Sequence, residues 1–370
     1  MKPMMGVINL VNEPDSLEEL TYHRCIASVP FGGRYRLIDF ALSNMVNSGI
    51  TDVAIFTHHK HRSLKDHLGS GKEWDLDRKH GGLFTLPAMT EDPHGMTKGD
   101  LFQFYCNRDF FYRGKEEYVV ITRSHVVCNI DFNAVLRFHM EKEADITVVY
   151  QEMMDPGQAR FRRIAIRPDD RVTVMEDQLG SLRADNLSLE MYVMKKSLLL
   201  DLVETSLGQG WDHFVRDAIM KNVHKLLIYG YRHDGYVGHV NTISSYYRHS
   251  LALLNPKVWR ELFFQDAYPI YTKVKDEPPT RYGEGAETIN CLIGNGCIIE
   301  GHVENSILFR GVHVKKGAVV KNSILLQGCV IGDHVTLEHS ILDKDVLIQR
   351  NKKLIGDAEA PFIASKGKVI

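Results

Sequence analysis

Short apolar runs alternate with helical patterns along the first 240 or so residues of the chain. The runs are rich in valine and isoleucine, which is typical of parallel strands buried on both faces. Between the first two runs, apolar positions from Ile38 to Val46 fall on one helical face, and Gly49 suits a left-handed cap at the helix end. The predicted strands cover residues 6–11, 52–57, 118–122 and 145–150. Strands alternating with helices predict a doubly wound α/β domain, in which ligands bind beyond the carboxyl ends of the strands.

The last 90 residues repeat at an interval of 17 residues. The sequence Asn-Ser-Ile-Leu at 305–308 recurs at 322–325, and His-Ser-Ile-Leu follows at 339–342. This period predicts a parallel β-helix with three short strands per coil, whose aliphatic residues stack in columns inside. A β-sandwich with coincidental spacing is the alternative, and three copies in phase argue against it.

These patterns divide the chain into three parts. Residues 1–245 form the predicted α/β domain, and residues 284–370 form the predicted β-helix. Residues 246–283 lie between them and begin with one helical pattern. Prolines from Pro256 to Pro279 then predict a connector on the surface.

The composition is that of a globular protein, and its charge excludes several partners. Of 370 residues, 44% are hydrophobic, and 45 Lys and Arg against 47 Asp and Glu leave a net charge of -2. We therefore expect neither a nucleic acid nor a membrane as partner, because no overall basic field exists. No apolar run approaches the ~18–20 residues that span a bilayer. Six cysteines without a Cys-x-x-Cys pair favour reduced thiols and a cytoplasmic location.

Long motifs carry a resemblance to a known family. Residues 28–44 have the sequence SVPFGGRYRLIDFALSN, and residues 71–78 have the sequence GKEWDLDR. Together with the strand at 117–121 and the coil residues 301–306, they closely resemble the ADP-glucose pyrophosphorylases, or glucose-1-phosphate adenylyltransferases. The resemblance implies a Rossmann-like nucleotidyltransferase domain with a mostly parallel sheet, a C-terminal left-handed parallel β-helix and a tetrameric assembly. It also implies the reaction of ATP with glucose 1-phosphate, which gives ADP-glucose and pyrophosphate for bacterial glycogen synthesis.

Nucleotidyl transfer brings two anionic substrates together, so catalysis depends on positioning and on neutralising charge. Enzymes of the family use a glycine-rich loop after the first strand, carboxylates that hold Mg²⁺, and a lysine for the sugar phosphate. Here the first strand leads into residues 12–15, Asn-Glu-Pro-Asp, so that bulkier residues replace the glycines. Glu13 and Asp15 are expected to repel a triphosphate.

Four further positions depart from the family's functional residues. An ungapped match, whose register Asp131 fixes, places His125 at the first metal-binding aspartate and His239 at the second. The lysine before the Pro-Phe-Gly-Gly segment is Ile26 here, and the lysine for the sugar phosphate is Asp177. Neutral imidazole is a poor ligand for Mg²⁺, which prefers oxygen. We therefore expect no catalytic residues at these positions, no metal or cofactor on this chain, and little or no activity from it alone.

This pattern resembles the non-catalytic, GlgD-type subunit of the bacterial enzyme. The resemblance implies a hetero-oligomer in which a catalytic homologue binds ATP and Mg²⁺ and this chain modulates its activity. Coupling of this kind typically amounts to ~1–3 kcal/mol.

A group of basic residues forms the candidate effector site. His23 and Arg24 match a basic pair, and Arg36 a single arginine, that help to bind anionic effectors in related enzymes. Arg34 lies beside them, and the planar fork of arginine donates two parallel hydrogen bonds to phosphate. A phosphorylated metabolite is the expected ligand, while ion pairing with surface carboxylates is the alternative. Pro30 stands where some relatives carry histidine, so the identity of the effector stays open.

Other interpretations stay open at the level of sequence. An active nucleotidyltransferase with an altered site would use His125 and His239 as ligands. A hexapeptide-repeat acyltransferase would use a histidine of the coil, although no long loop interrupts the repeats to build an acyl-CoA groove. The histidines of segment 58–61 are expected in a solvated loop. The basic run 160–163 is expected at a solvated edge, with phosphate or subunit contact as the alternative.

Overall fold

A sheet of nine strands organises the N-terminal part of the described chain. The computed structural model describes residues 3–13, 16–57, 60–89, 99–152, 162–177 and 186–370. The strands of this part are β1 (Met4–Asn9), β2 (Pro30–Phe31), β3 (Tyr35–Arg36), β4 (Asp52–Phe56), β5 (Gly82–Leu86), β6 (Tyr118–Thr122), β7 (Val126–Val127), β8 (Ile146–Glu152), β9 (Arg163–Ile166), β10 (Val172–Glu176), β11 (Asn186–Lys195), β12 (Ile228–Arg232) and β13 (Gly238–His239). The order across the sheet is β12–β8–β11–β6–β1–β4–β5, and the hairpin β9–β10 pairs with the start of β11. The pairs β2–β3 and β7–β13 stand apart from it.

Parallel strands form the centre of the sheet. β5, β4, β1 and β6 are all parallel, whereas β11 runs antiparallel to both β6 and β8. The predicted α/β domain with a mostly parallel sheet is confirmed. The prediction of a parallel strand at 145–150 holds on one side only, because β8 is parallel to β12 but antiparallel to β11. An apolar run indicates burial on both faces and does not specify the direction of the neighbouring strands.

Helices cover both faces of the sheet. Ile8 packs in the core on one face, and its neighbour Val7 packs in the core on the other. The first helix ends as predicted, because Gly49 has a φ of 77° and the amide of Ile50 donates to the carbonyl of Met45 at 3.0 Å. No helix in the described part of the chain is both long and apolar enough to cross a membrane. The helices are α1 (Leu37–Asn47), α2 (Arg62–Leu68), α3 (Asp100–Cys106), α4 (Arg108–Arg113), α5 (Phe132–Glu141), α6 (Lys196–Gly208), α7 (Ile243–Ala252) and α8 (Pro256–Phe263), with 3-10 turns at Glu18–Thr21, Ile26–Ser28, Lys72–Trp74 and Met220–Asn222 and a π-helical turn at Phe214–Ile219.

Two helices, not one, follow the sheet. α7 begins at a capping box in which the hydroxyl of Thr242 accepts a hydrogen bond from the amide of Ser245 at 3.0 Å. Pro256, predicted to begin an irregular connector, is instead the first residue of α8. That prediction was wrong because proline suits the first position of a helix, where the amide has no helical partner, as well as it suits a loop. Residues 264–280 then run to the coil without helix or strand.

Three parallel sheets of five strands form the C-terminal part. Their strands are β14 (Arg281–Tyr282), β15 (Glu287–Ile289), β16 (Leu292–Ile293), β17 (Ile298–Ile299), β18 (His302–Glu304), β19 (Ile307–Leu308), β20 (His313–Val314), β21 (Val319–Lys321), β22 (Ile324–Leu325), β23 (Val330–Ile331), β24 (Thr336–Glu338), β25 (Ser340–Leu342), β26 (Leu347–Ile348), β27 (Lys353–Ile355) and β28 (Phe362–Ala364). Every third strand stacks on the same face, so Ile307, Ile324 and Ile341 pair in register as a buried column. The predicted left-handed parallel β-helix is confirmed.

The repeated Asn-Ser pair has a local physical reason. Asn305 and Asn322 occupy corners with φ values of 45° and 46°, a conformation that asparagine tolerates better than most residues. The serines that follow form a ladder between coils. The amide of Ser323 donates to the hydroxyl of Ser306 at 3.0 Å, and the amide of Ser340 donates to the hydroxyl of Ser323 at 3.2 Å.

The β-helix, called the coil below, shares one hydrophobic core and one buried ion pair with the α/β part. Phe31 and Tyr246 pack in the same cluster as Ile324 of the coil. Arg24 donates two hydrogen bonds to Asp343, from Nη1 to Oδ1 at 2.8 Å and from Nη2 to Oδ2 at 2.9 Å. Both side chains are buried, so each charge depends on the other for neutralisation.

Arg24→Ala should lower the free energy of unfolding by about 3–5 kcal/mol, because it leaves the buried Asp343 carboxylate without its partner. The double replacement R24M/D343L should restore much of the loss, because an apolar pair needs no neutralisation. Urea unfolding followed by circular dichroism measures both values. A single variant as stable as the original chain would contradict a buried pair at this junction.

Candidate functional site

The carboxyl ends of β1 and β6 meet near the centre of the sheet, where a doubly wound fold binds its ligands. Glu13 lies there with its side chain 3% exposed. Its carboxylate accepts hydrogen bonds from the amide of Ser124 at 2.5 Å and from the hydroxyl of Ser124 at 2.7 Å. Nδ1 of His125 lies 3.5 Å from the same carboxylate. Glu13, the residue expected to repel a phosphate group, is therefore itself bound by Ser124 at the strand ends.

Asp100 and Arg123 continue this arrangement. The fully buried carboxylate of Asp100 accepts hydrogen bonds from the side-chain amide of Asn9 at 2.8 Å and from the backbone amide of Phe214 at 2.7 Å. Arg123 donates to the carbonyl of Asn9 at 3.0 Å and to the carboxylate of Glu190 at 3.2 Å. Arg123 is thus paired within the protein, with Glu190 and with Asp100, whose carboxylate lies 3.8 Å from its guanidinium.

Glu190 brings a second arginine into the network. Nη1 of Arg162 lies 3.7 Å from Glu190, and Nε of Arg162 donates to the carboxylate of Asp177 at 2.6 Å. Burial opposes the ionisation of Glu190, but Arg162 and Arg123 outweigh it and lower its pKa to about 2. Asp177, which the motif match places at the family's sugar-phosphate lysine, is therefore the partner of an arginine.

The basic run 160–163 does not lie at a solvated edge as far as the structure describes it. Arg162 is only 8% exposed, because Asp177 and Glu190 both bind its guanidinium. The sequence pattern did not indicate these partners, which lie further along the chain. Residues 160 and 161 fall outside the described part, as do His58 and His59.

The structure brings together His125 and His239. β13 pairs with β7 so that His239 lies opposite Val126, and the amide of Val240 donates to the carbonyl of His125 at 2.8 Å. Burial lowers the pKa of His239 to about 3, and His125 and His249 add to the shift. His239 is therefore a neutral imidazole at neutral pH.

These residues do not fit a magnesium ion. Mg²⁺ takes an octahedral set of oxygen ligands, whereas both candidate positions carry imidazoles. Within the described ranges, no group of three or more His, Cys, Asp or Glu side chains is arranged to hold a metal. Ile26, at the position of a family lysine, is buried in the core shared with the coil.

A second cleft, between the α/β part and the coil, is rich in positive charge. Tyr35, Phe309 and Gln327 form part of its wall. The basic residues of this cationic cleft are Arg34, Arg36, Lys273, Lys275, Arg310 and Lys344. Two predicted effector residues, Arg34 and Arg36, therefore lie in it. The other four come from the connector and the coil, where they are isolated in sequence and belong to no local motif that would have revealed them.

The positive charges of the cationic cleft repel one another. Burial, with Arg36 and Arg24 nearby, lowers the pKa of Lys344 to about 7. Burial, with Arg36 and Arg310, also lowers the pKa of Lys275. An anion in the cleft would favour the protonated lysines and relieve this repulsion. The cleft therefore has the chemistry of a binding site for an anionic ligand.

The remaining predicted effector residues lie elsewhere. Arg24 is held by Asp343 in the buried pair, so it has an ion-pair partner, although that carboxylate is buried and not on the surface as the alternative had it. His23 is exposed and is not among the residues that line the cationic cleft. Arg36 is positioned by Ser63, to which its Nη1 donates at 2.6 Å (carbonyl) and 3.0 Å (hydroxyl).

Two histidines of the β-helix, His302 and His339, make contacts within the β-helix or with the α/β part. His302 lies between Glu287 and Glu304, with nitrogen–oxygen distances of 3.0 and 3.3 Å. Nδ1 of His339 lies 2.9 Å from the hydroxyl of Tyr247. These contacts give His302 and His339 structural partners, and an acyltransferase role gains no support from them.

Comparisons with known proteins agree with this architecture. The model of the nucleotidyl transferase family matches residues 15–222, and the model of the GlmU-like C-terminal hexapeptide family matches residues 278–361. The glycogen biosynthesis protein GlgD of Bacillus subtilis (strain 168) is 42% identical over 370 residues, which cover 99% of this chain and 96% of that protein. GlgD of Geobacillus stearothermophilus is 44% identical over 367 residues, with 99% and 97% coverage. Glucose-1-phosphate adenylyltransferase of Clostridium perfringens (strain SM101 / Type A) is 32% identical over 376 residues, with 100% and 96% coverage.

The fold and these matches define the class as a nucleotidyltransferase domain joined to a hexapeptide-repeat β-helix. Within that class, the chain belongs to the family of the GlgD glycogen biosynthesis proteins and the glucose-1-phosphate adenylyltransferases. The resemblance carried by the sequence motifs is confirmed.

Sulfate should bind the cationic cleft with uptake of protons, because the anion raises the pKa of Lys344 from about 7. Affinity should be greatest below pH 7 and should fall as the pH rises toward the higher pKa of the bound state. Calorimetric titration in two buffers of different ionisation enthalpy, between pH 6.5 and 8.5, measures the uptake. Sulfate is the probe because it does not itself titrate in this range.

Lys344→Met should flatten this pH dependence, and Lys352→Met, at an exposed position of the same coil, should leave it unchanged. His67, which also lines the cleft, pairs with Asp39 at 2.6 Å, and burial lowers its pKa. An unaltered pH profile in K344M would contradict the assignment.

Proposed function

We propose that this chain is a regulatory subunit of glucose-1-phosphate adenylyltransferase in glycogen biosynthesis, with little or no catalytic activity of its own. The proposal is carried by the position of Glu13, whose carboxylate binds Ser124 at the carboxyl ends of β1 and β6. ATP and glucose 1-phosphate would both bring phosphate groups to this cleft. A buried carboxylate at its centre opposes their entry by charge and by volume.

The charges around Glu13 support the same proposal. A nucleotidyl-transfer site needs an excess of cations, from metal and from side chains, to neutralise two substrates. Among the residues that the structure describes in this network, four carboxylates stand against two guanidinium groups: Glu13, Asp100, Asp177 and Glu190 against Arg123 and Arg162. We therefore expect ATP and Mg²⁺ to bind in the catalytic partner and not in this chain.

The size of the expected defect follows from the groups that are replaced. A metal ion contributes several kcal/mol of charge stabilisation in the transition state, and each 1.36 kcal/mol changes a rate tenfold. The purified chain should therefore form ADP-glucose at least ~10³-fold more slowly than a catalytic homologue.

The regulatory half of the proposal rests on the cationic cleft. Its basic side chains come from both parts of the chain, for example Arg36 from the α/β part and Lys344 from the coil. A phosphorylated metabolite that binds there would contact both parts and favour one arrangement of them. A coupling free energy of ~1–3 kcal/mol would change the response of the catalytic partner by ~5–150-fold. We place this complex in the cytoplasm, with no nucleic acid or membrane as partner.

Coexpression with the catalytic homologue of the same organism tests the proposal. We expect the two chains to purify together and the complex to form ADP-glucose from ATP and glucose 1-phosphate. The complex should respond to phosphorylated metabolites differently from the homologue alone. Synthesis of ADP-glucose by this chain alone, at a rate comparable to that of the homologue, would overturn the proposal.

Two variants separate the parts of the proposal. R310A/K344A, which removes two cations of the cationic cleft, should abolish the changed response while the complex still assembles, and Lys352→Ala is the matched control on the coil surface. If the chain alone proves active and loses that activity when His125 and His239 are both changed to alanine, the alternative of an active enzyme with an altered metal site is supported instead.

A further inference from the structure

We propose that Glu13 is a built-in anion and that the groups it binds form a latent site for a phosphate group. The Glu13 site is defined here as the amide and hydroxyl of Ser124 together with the imidazole of His125. This inference deepens the proposed function, because it names the side chain that closes the nucleotide cleft. Its test requires no partner and no catalytic activity, so that it fails or succeeds independently of the regulatory role.

The geometry of the Glu13 site is that of an oxyanion receptor. One carboxylate oxygen accepts the backbone amide of Ser124 at 2.5 Å, and the other accepts the hydroxyl of the same residue at 2.7 Å. His125 stands 3.5 Å from the first oxygen. Two donors directed at two oxygens of one group, at the carboxyl end of a central strand, also suit two oxygens of a phosphate.

The groups of Ser124 that donate hydrogen bonds to Glu13 are buried, so an anion bound to them would be enclosed by the protein. Ser124 is fully buried, His125 is 7% exposed, and the side chain of Glu13 is 3% exposed. If Glu13 were absent, the amide and hydroxyl of Ser124 would be left in a closed space without their present acceptor. A buried donor without an acceptor is unfavourable, so the emptied site favours a small anion that fits.

The backbone delivers Glu13 to this position. β1 ends at Asn9, whose side-chain oxygen accepts the amide of Val11 at 3.2 Å, and the amide of Glu13 donates to the carbonyl of Leu10 at 3.3 Å. Leu10 and Val11 are buried and anchor this turn. The carboxylate therefore reaches Ser124 from a hydrogen-bonded turn at the end of the strand.

Glu13→Ala with added anions tests the proposal by chemical rescue. The midpoint of thermal unfolding should fall in the variant, and inorganic phosphate should raise it by several degrees more than it raises the midpoint of the original chain, at equal ionic strength set with chloride. The comparison cancels phosphate bound in the cationic cleft, since that cleft is the same in both proteins. Equal shifts in both proteins would overturn the proposal.

Formate provides the second arm of the test. Formate has the size of the deleted carboxylate, so rescue by formate without rescue by phosphate would mean that the space accepts a carboxylate only, and the proposal of a phosphate site would fall. Rescue by phosphate, with or without formate, supports it. Repeating the phosphate titration in an R310A/K344A background, which lacks two cations of the cationic cleft, should leave the extra shift intact.

Two controls accompany the variant. Glu13→Gln keeps the volume of the side chain and should show no extra shift, and Glu18→Ala removes an exposed carboxylate nearby in the chain and should behave like the original. If Glu13→Ala does not fold in chloride buffer, the readout becomes the yield of folded protein after refolding in phosphate, formate or chloride at equal ionic strength. A yield no higher in phosphate than in chloride would again overturn the proposal.

Discussion

Neutralisation of charge at the carboxyl edge of the sheet is the constraint on which the rest of this structure depends. Parallel strands end there with their functional side chains directed toward one cleft, and in a nucleotidyltransferase that cleft must attract phosphate. In this chain, side chains of the protein itself occupy the same edge. Glu13 accepts hydrogen bonds from Ser124, and Glu190 pairs with Arg123 and Arg162. The two arginines are therefore already paired, which leaves little attraction for an external anion.

The cationic cleft, between the α/β part and the β-helix, is instead lined by many basic side chains. Burial, together with the neighbouring Arg36 and Arg24, lowers the pKa of Lys344 there to about 7. The neighbouring Asp343 is engaged by Arg24, with which it forms the buried pair that joins the two parts of the chain. Basic side chains are thus concentrated in one cleft, directly beside the junction.

The sequence was sufficient for those features that depend on local rules. The strand periods, the cap at Gly49 and the 17-residue repeat each predict structure from neighbouring residues, and the motifs identified the family. The direction of a neighbouring strand and the partner of a charged side chain were harder to predict, because both depend on residues that are distant in sequence. The antiparallel neighbour of β8, the partners of Arg162 and the basic residues from the connector and coil have no local signature. For Glu13, the residue type indicated repulsion, but only the fold places its carboxylate on Ser124.

The two charge patterns also indicate where function resides. Like charges that lie close together without partners lower the stability of a protein. A chain that binds no anion in a cleft is therefore stabilised when the charges there are paired, whereas a chain that binds an anion there retains them unpaired. At the strand ends, Glu190 pairs with Arg123 and Arg162, and Asp177 pairs with Arg162. In the cationic cleft, basic side chains lie close together, and burial, with Arg36 nearby, lowers the pKa of both Lys344 and Lys275. Under the proposed function, an anionic ligand is therefore expected at the junction between the two parts of the chain and not at the strand ends.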